Sequence, residues 1–276
     1  MKKIGRGSAA LILTLCVLAG CKGAQNPAAP KASPAADEAT DTSMPKNGEA
    51  AGIKGTVEPD AVAALKQMSS YLTSLNTAEI TSNGSLDVVT EDGQRVQMDG
   101  VTKYKLRKPG FVIDFDSDLK KRQFFYDGKT FTEYSPSAGF YGTVAAPATN
   151  RETLAMIYNQ YGVALPLEDL FRWADPDGKR DDKLKSAYQV GTATIDGVQT
   201  NHYAFREGDS DWELWLQQGD KPLPRKLVIV DRTDPSRPTF IARLDWKVNP
   251  SLTDGDFKFV PKGNDKRIEL ASYKGE

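Results

Sequence analysis

Apolar residues recur at every second position over long parts of this chain, and the pattern is clearest at 240–248. In that run the residues of one parity are all apolar, namely Phe240, Ala242, Leu244, Trp246 and Val248. Of the four residues between them, Ile241 is apolar and three are charged: Arg243, Asp245 and Lys247. Because successive side chains of a β-strand point to opposite faces, this run predicts a strand with one face on the core and one face in water.

The same two-residue period appears earlier in the chain, at 96–106 and at 111–115. Trp212 and Trp215 also have opposite parity on one predicted strand, so we expect them on different faces. Asp-Gly pairs, which favour tight hairpin turns, separate the runs at 92–93, 127–128 and 196–197. Consecutive strands joined by tight turns form an antiparallel meander. Its repetition predicts a mainly β (α+β) domain built on a curved antiparallel sheet or an incomplete β-barrel.

Three segments have the spacing of helices rather than strands. Apolar residues at three- and four-residue steps predict a helix over 59–75, with one face formed by Val62, Leu65, Met68, Leu72 and Leu75. Asn150 is a candidate N-cap for a second helix, and a third short helix is expected to begin at Pro166. Such helices, placed between two halves of an antiparallel sheet, can cover its open face. The composition shows no second break, so we expect one domain at 58–272.

The N-terminus has the pattern of an export sequence. Lys2, Lys3 and Arg6 precede an apolar run at 9–19. This run is too short for a permanent helix across a bilayer core, which is about 30 Å thick and needs about 20 apolar residues. A basic start followed by a short apolar stretch is typical of a secretory signal peptide.

The end of the apolar run is more specific than its beginning. It reads Leu18-Ala19-Gly20-Cys21, which resembles the lipobox of bacterial lipoproteins. The resemblance implies a signal peptide at 1–20, cleavage directly after Leu18, Ala19 and Gly20, and lipid attachment to Cys21. The alternatives are a plain signal peptide that contains a cysteine and a short membrane anchor.

The predicted cleavage also determines the cysteine content and net charge of the mature chain, and so how it binds the membrane. Cys16 leaves with the signal peptide, so Cys21 is the only remaining cysteine and no intramolecular disulfide can form. Three of the 36 basic residues leave as well, so 33 face 37 acidic residues and the net charge does not attract anionic lipid. The predicted partner is therefore the membrane through the lipid anchor. Lys22, where an Asp would retain a lipoprotein at the inner membrane, implies the outer membrane, facing the periplasm.

The segment between the anchor and the first helix lacks what a folded core needs. Residues 22–57 contain no aromatic side chain and consist largely of Ala, Pro, Gly, Ser, Thr and charged residues. Too little apolar surface is present to offset the entropy lost on ordering. We therefore predict that residues 21–57 consist of the lipidated Cys21 and a flexible linker with a reach of roughly 30 Å.

Charge and residue content argue against several classes of function. The balance of 36 basic and 37 acidic residues disfavours a nucleic-acid binder. His202 is the only histidine and no G-x-S-x-G motif is present, so we assign no catalytic residue. One histidine and no free cysteine disfavour zinc, and the acidic run at 175–182 lacks ligands at the outer positions of a calcium loop. We therefore assign neither a metal nor a cofactor.

Five segments carry a resemblance to a known family: YDGKTF at 126–131, LPLEDL at 165–170, NHYAFR at 201–206, DWELWL at 211–216 and PLPRKL at 222–227. In this order they resemble an uncharacterised family of predicted periplasmic proteins. That family is grouped with the lipoprotein-carrier-like fold of LolA, LolB and RseB, and the likeness covers about 60–270. Membership implies an incomplete antiparallel barrel closed by helices, with an apolar concave face, and it implies no known activity. LolA and LolB carry acylated lipoproteins, but none of their functional residues is transferred.

These features predict a lipid-anchored, non-catalytic binding protein of the bacterial cell envelope. Its concave face would take an acyl chain, a lipoprotein or another apolar ligand, as a carrier, acceptor or sensor. Phe240, Leu244 and Trp246 are the candidate ligand-facing residues, since they share one face of the clearest strand. Two alternatives stay open: an envelope structural or interaction lipoprotein with a filled core, and a hydrolase that uses paired carboxylates. The sequence does not indicate an oligomeric state.

Overall fold

The computed structural model of the protein describes residues 56–163 and 183–272, which fall within one compact unit. These residues form two α-helices, twelve strands and a 3-10 helix at Asp254–Phe257. The helices are α1 (Pro59–Ser74) and α2 (Asn150–Tyr161). The strands are β1 (Thr77–Val89), β2 (Arg95–Arg107), β3 (Gly110–Ser117), β4 (Lys121–Tyr126), β5 (Thr130–Ser135), β6 (Phe140–Ala145), β7 (Leu184–Ile195), β8 (Val198–Glu207), β9 (Ser210–Gln217), β10 (Pro224–Asp231), β11 (Thr239–Val248) and β12 (Lys266–Arg267).

All twelve strands belong to one open, curved sheet with the order β12-β6-β5-β4-β3-β2-β1-β11-β10-β9-β8-β7. Two meanders, β1–β6 and β7–β11, make up most of the sheet, and β1 joins them by pairing with β11. Every neighbouring pair is antiparallel except β12 and β6, which are parallel. The predicted curved antiparallel sheet is therefore confirmed.

The two faces of the sheet differ sharply in burial. We call inner face the side that carries Ile80, Tyr104, Ile113, Phe124 and Trp246, all of which are buried in the main core cluster. The opposite side is the outer face. On β11 the alternation read from the sequence is confirmed, because Ala242, Leu244 and Trp246 are buried while the residues between them are exposed.

Both helices add side chains to the core on the inner face. The apolar face of α1 places Leu65, Met68 and Leu72 in the main cluster with almost no exposed surface. The helix predicted over 59–75 is thus confirmed, with its last residue at Ser74. From α2, Ile157 enters the same cluster and is fully buried.

The start of α2 differs by one residue from the prediction. Thr149, not Asn150, is the N-cap, because its backbone is extended and its side-chain oxygen accepts a hydrogen bond from the Glu152 amide at 3.2 Å. Asn150 is the first helical residue, and its side chain binds the β2–β3 turn instead. The helix expected from Pro166 and the acidic run at 175–182 lie outside the described residues.

A short extended segment precedes α1 and pairs with the edge strand β7. The Glu58 amide donates to the Ala187 carbonyl at 2.8 Å, and the Ala187 amide donates to the Thr56 carbonyl at 2.8 Å. The chain therefore joins the sheet at Thr56, two residues before the predicted start of the domain. Residues 1–55, with the predicted signal peptide and Cys21, lie outside the described residues. Among the described helices, none combines the length and apolar character needed to cross a membrane.

Candidate functional site

The strand registers place five inner-face side chains in one line across β11, β1, β2, β3 and β4. We call this line the inner row: Leu244, Ser82, Thr102, Phe115 and Arg122. Neighbouring strands lie about 4.8 Å apart, so the row is about 19 Å long. It is apolar at one end, has small hydroxyl side chains in the middle, and is charged at the other end.

The middle of the inner row is poor in side-chain volume. Ser82 and Thr102 are both buried, although each has a small polar side chain. In the next line on the same face, Gly84 pairs with Gly100 on one side and with Ala242 on the other. A Cβ at Gly100 would lie 3.1 Å from the Asp116 carbonyl oxygen, so glycine suits the close approach of the strands there. The result is a band of small residues between Leu244 and Phe115.

The three candidate residues on β11 share the inner face, as their parity predicted. Leu244 is 4% exposed and Trp246 8% exposed, and both belong to the main core cluster, against which Phe240 packs while partly buried. The Trp246 Nε1–H group donates to the Pro224 carbonyl at 2.8 Å, which fixes the orientation of the indole. A role of these residues toward a ligand stays a prediction.

Within the described residues, two hydroxyl groups on the inner side of the sheet lack a well-formed hydrogen bond, although the Thr102 side chain lies near one of them, Tyr104 OH. Ser69 Oγ lies on the buried side of α1, and Tyr104 OH lies on the inner face of β2. Burial raises the pKa of Tyr104 well above its usual range. A buried polar atom without a partner costs about 1–3 kcal/mol, and such atoms in a native interior call for a water, an ion or a functional reason.

The charged end of the inner row contains a pair that the sequence did not single out. Arg122 Nε lies 3.4 Å from Glu133 Oε1, and the two side chains are 32% and 28% exposed. Burial raises the pKa of Glu133, and the nearby charges of Arg122 and Lys120 offset only part of that effect. Parity was the available clue, because Arg122 shares it with Phe124 and Tyr126 on β4.

The outer face carries the only histidine within a small aromatic and apolar cluster. The His202 ring stacks on Trp215 with centroids 3.9 Å apart, and His202 Nε2 lies 2.7 Å from Glu213 Oε2. Lys226 Nζ lies 4.1 Å from the centre of the Trp215 ring. Trp212 belongs to the main core instead, so the two tryptophans lie on opposite faces, as expected. These contacts account for His202 as a structural residue of the sheet.

A polar cleft of about 880 Å³ also lies against the outer face, across β11, β1, β2 and β3. Its walls carry charges of both signs, and several are paired within the protein: Lys121 Nζ is 2.6 Å from Asp116 Oδ2, and Arg243 Nη1 is 3.1 Å from Asp196 Oδ1. Within 56–163 and 183–272, no cluster of three or more His, Cys, Asp or Glu side chains could hold a metal ion. The cleft therefore resembles a solvated charged surface more than a metal centre.

Several solved structures are similar to this chain. LppX, a lipoprotein of Mycobacterium tuberculosis, is 11% identical with a TM-score of 0.42, and the alignment covers 71% of this chain and 98% of LppX. LprF from Mycobacterium bovis is 12% identical with a TM-score of 0.40, over 72% and 97% of the two chains. A LolA superfamily protein from Nitrosomonas europaea, NE2245, is 10% identical with a TM-score of 0.34, over 72% and 97%.

No curated protein matches the chain in sequence. A family model does, and it spans residues 61–271, from the first turn of α1 through β12. The resemblance noted in the sequence is thereby confirmed. The chain belongs to the family of predicted periplasmic proteins known as DUF2092.

Proposed function

We propose that this protein is a lipid-anchored, non-catalytic binding protein of the bacterial envelope. It faces the periplasm from the outer membrane, and it takes an acyl chain or another apolar ligand, a lipoprotein acyl chain among them, on the inner face of its sheet. It then acts as a carrier, an acceptor or a sensor. The periplasmic description of its family supports the compartment, and the lipobox at Cys21 supports the anchor.

The observation that carries this proposal is the inner row. Ser82 and Thr102 form a band of small side chains between Leu244 and Phe115, and glycines occupy the adjacent line. An elongated apolar ligand fits such a band because large side chains stand only at its ends. Burial of each methylene contributes about 0.8 kcal/mol, so even a short acyl segment along the row would bind with useful affinity.

The hydroxyls of Ser69 and Tyr104, which lack a well-formed hydrogen bond within the described residues, add further support. Both are in the interior, where a packed apolar core would favour Ala and Phe at the same places. Retaining two polar atoms there is expected if a ligand or its accompanying water provides their hydrogen bonds. Because the Ser82 and Thr102 side chains are buried, a ligand reaches the row only after part of the protein moves.

The packing of α1 favours a second candidate function, an envelope structural or interaction lipoprotein with a filled core. Leu65, Met68 and Leu72 occupy the inner face beneath α1 with essentially no exposed surface. A core that is filled by its own helix along the whole row would leave no space for a ligand. The two candidates therefore differ in whether volume can be added to the inner row.

The test adds that volume at Ser82 in the mature chain carrying Cys21→Ser, so that no lipid is attached. Ser82→Leu is compared with Asn83→Leu, the next residue on β1, which is exposed on the outer face. Native mass spectrometry after purification reports co-purified lipid, and a fluorescent fatty-acid titration reports binding. We expect saturable binding by the unmodified chain and by Asn83→Leu, and its loss in Ser82→Leu with the melting temperature retained.

If the core is filled, Ser82→Leu should instead lower the melting temperature. Overpacking a tight core lowers stability by about 1–3 kcal/mol, so Ser82→Leu would melt at a clearly lower temperature than Asn83→Leu. Absence of saturable binding by the unmodified chain would reject the carrier proposal directly.

A further inference from the structure

The charged end of the inner row has a chemistry that the rest of the row lacks. Arg122 on β4 pairs in register with Phe115, and Glu133 on β5 pairs with Phe124. Both charged side chains thus lie on the same face as the apolar core, beside aromatic rings. About 30% of each side chain is exposed, so each can reach a ligand while it stays close to the core.

Arg122 uses only part of its hydrogen-bonding capacity within the protein. Its Nη1 group donates to the Lys121 carbonyl at 2.9 Å and to Ser135 Oγ at 2.8 Å. No described residue accepts a hydrogen bond from Nη2. A guanidinium has five N–H donors in a planar fork that matches the oxygens of a carboxylate or a phosphate. The free edge of Arg122 is therefore suited to an anionic oxygen.

The negative charge of Glu133 is incompletely compensated within the protein. Its carboxylate accepts no hydrogen bond from a described residue, and the Arg122 guanidinium is its one ion-pair partner among them. Burial raises the pKa of Glu133, which indicates that the neighbouring charges do not fully compensate for the loss of water. A donor carrying a positive charge would complete this environment. A purely anionic group placed on Arg122 would instead be repelled by the adjacent carboxylate.

We propose that Arg122 and Glu133 form a head-group site that takes a zwitterionic phospholipid with a primary ammonium group. The phosphate oxygens bind the free Nη2 edge of Arg122, the ammonium binds the Glu133 carboxylate, and an acyl chain runs past Phe115 along the inner row toward Leu244. This inference rests on the proposed function, since it names the ligand class for the same face of the sheet. A head-group site also explains why an ion pair lies at the end of the inner row, whose other side chains are apolar or small.

The experiment compares lipids that differ only in the head group. Short-chain phosphatidylethanolamine, phosphatidylglycerol and diacylglycerol with identical acyl chains are titrated, below their aggregation concentrations, into the mature chain with Cys21→Ser. Isothermal calorimetry measures each dissociation constant. We expect phosphatidylethanolamine to bind at least about tenfold more tightly than phosphatidylglycerol, because only its ammonium group can form a charge-assisted hydrogen bond with Glu133.

Two substitutions separate the two charges. Glu133→Gln should remove the preference for ethanolamine over glycerol, whereas Arg122→Gln should weaken both phospholipids by about tenfold or more and leave diacylglycerol unchanged. Lys121→Gln is the matched control, because Lys121 is the neighbouring cation on β4 but lies on the outer face, paired with Asp116. It should bind all three lipids like the unmodified chain. Arg122→Lys, which keeps the charge without the planar fork, replaces Arg122→Gln if that variant does not fold.

The outcomes distinguish this inference from the function on which it rests. If the unmodified chain binds all three lipids equally, or if folded Arg122 and Glu133 variants bind like the control, the head-group site is wrong while the acyl-binding function stands. If no lipid binds at all, the proposed function itself is rejected.

Discussion

The Asn150 side chain connects α2 to the turn between β2 and β3. Its Oδ1 accepts a hydrogen bond from the Gly110 amide at 2.7 Å, and its Nδ2 donates to the Arg107 carbonyl at 2.8 Å. Asn150→Ala removes both bonds, so we expect the free energy of unfolding to fall by about 1–3 kcal/mol. Urea denaturation measures the change.

Asn83→Ala is the control for this substitution. Asn83 is exposed on β1 and makes no side-chain hydrogen bond with a described residue. Its removal should leave the midpoint of unfolding unchanged within error. Equal midpoints for Asn150→Ala and Asn83→Ala would show that the amide does not hold α2.

Single residues differ in how well the sequence predicts their place. Parity alone puts Leu244 and Trp246 on the inner face, because an alternating strand leaves no other choice. The same rule applied to β4 puts Arg122 beside Phe124, yet a charged residue next to Lys121 is more readily read as solvent-facing. The pairing with Glu133 could not be predicted, since it depends on which strand becomes the neighbour of β4 and in which register.

At the scale of elements, the 3-10 helix Asp254–Phe257 attaches to β2 through two ion pairs. Asp254 pairs with Arg107, and Asp256 Oδ1 lies 2.6 Å from Lys105 Nζ. The hydrogen bond from Lys105, together with those from Thr253, holds the pKa of Asp256 well below its usual range. A carboxylate with a lowered folded-state pKa stabilises the fold above its unfolded pKa of about 3.9, and that contribution is lost progressively as the pH falls from there through the folded-state pKa.

Asp256→Asn should therefore reduce the pH dependence of stability on the acidic side. We expect the variant to melt at a lower temperature than the unmodified chain at pH 7, and the gap to begin to narrow near pH 4 and to keep narrowing as the pH falls toward the folded-state pKa of Asp256. Thermal unfolding followed by circular dichroism across this range measures the gap. Asp220→Asn is the control, because Asp220 is exposed and makes no ion pair with a described residue. A gap that stays constant with pH would contradict the assignment.

Elements with a strong local pattern were predicted well, and those that depend on distant partners were not. The apolar stripe of α1 and the alternation of β11 are encoded within short windows, so both match the structure closely. The parallel pairing of β12 with β6 has no such local pattern, because only two residues take part. The N-cap of α2 moved to Thr149 because tertiary contacts engage the Asn150 amide, which local sequence cannot reveal.

At the scale of the whole molecule, the segment Thr56–Glu58 joins the start of the described residues to the sheet. It pairs with Ala187 through two backbone hydrogen bonds, and Glu58 Oε2 also accepts one from the Gln189 amide at 3.2 Å. A chain that starts at Thr56 keeps all three bonds and should melt at the same temperature as the mature chain. A chain that starts at Pro59 loses them and should melt several degrees lower, at about 2–4 °C per kcal/mol for a domain of this size.

Differential scanning calorimetry of the three chains measures these temperatures. A lower melting temperature for the chain from Thr56 would show that part of the predicted linker packs on the domain, contrary to its composition. Equal temperatures for the chains from Thr56 and Pro59 would show that the pairing with β7 adds nothing measurable.

Anchoring is the remaining property of the whole molecule, and its prediction comes from the lipobox alone. Cys21→Ala removes the thiol that would receive the lipid, so the protein should be recovered in a soluble or uncleaved form and should incorporate no radioactive palmitate in cells. Cys16→Ala is the matched control: Cys16 lies inside the predicted signal peptide, and its loss should leave labelling and membrane fractionation unchanged. Two or more acyl chains anchor a protein stably by apolar burial, which salt does not weaken. The unmodified protein should therefore also stay on the membrane in high salt. Palmitate label on the Cys21→Ala protein would overturn the anchor, and with it the placement of the inner face near a lipid source.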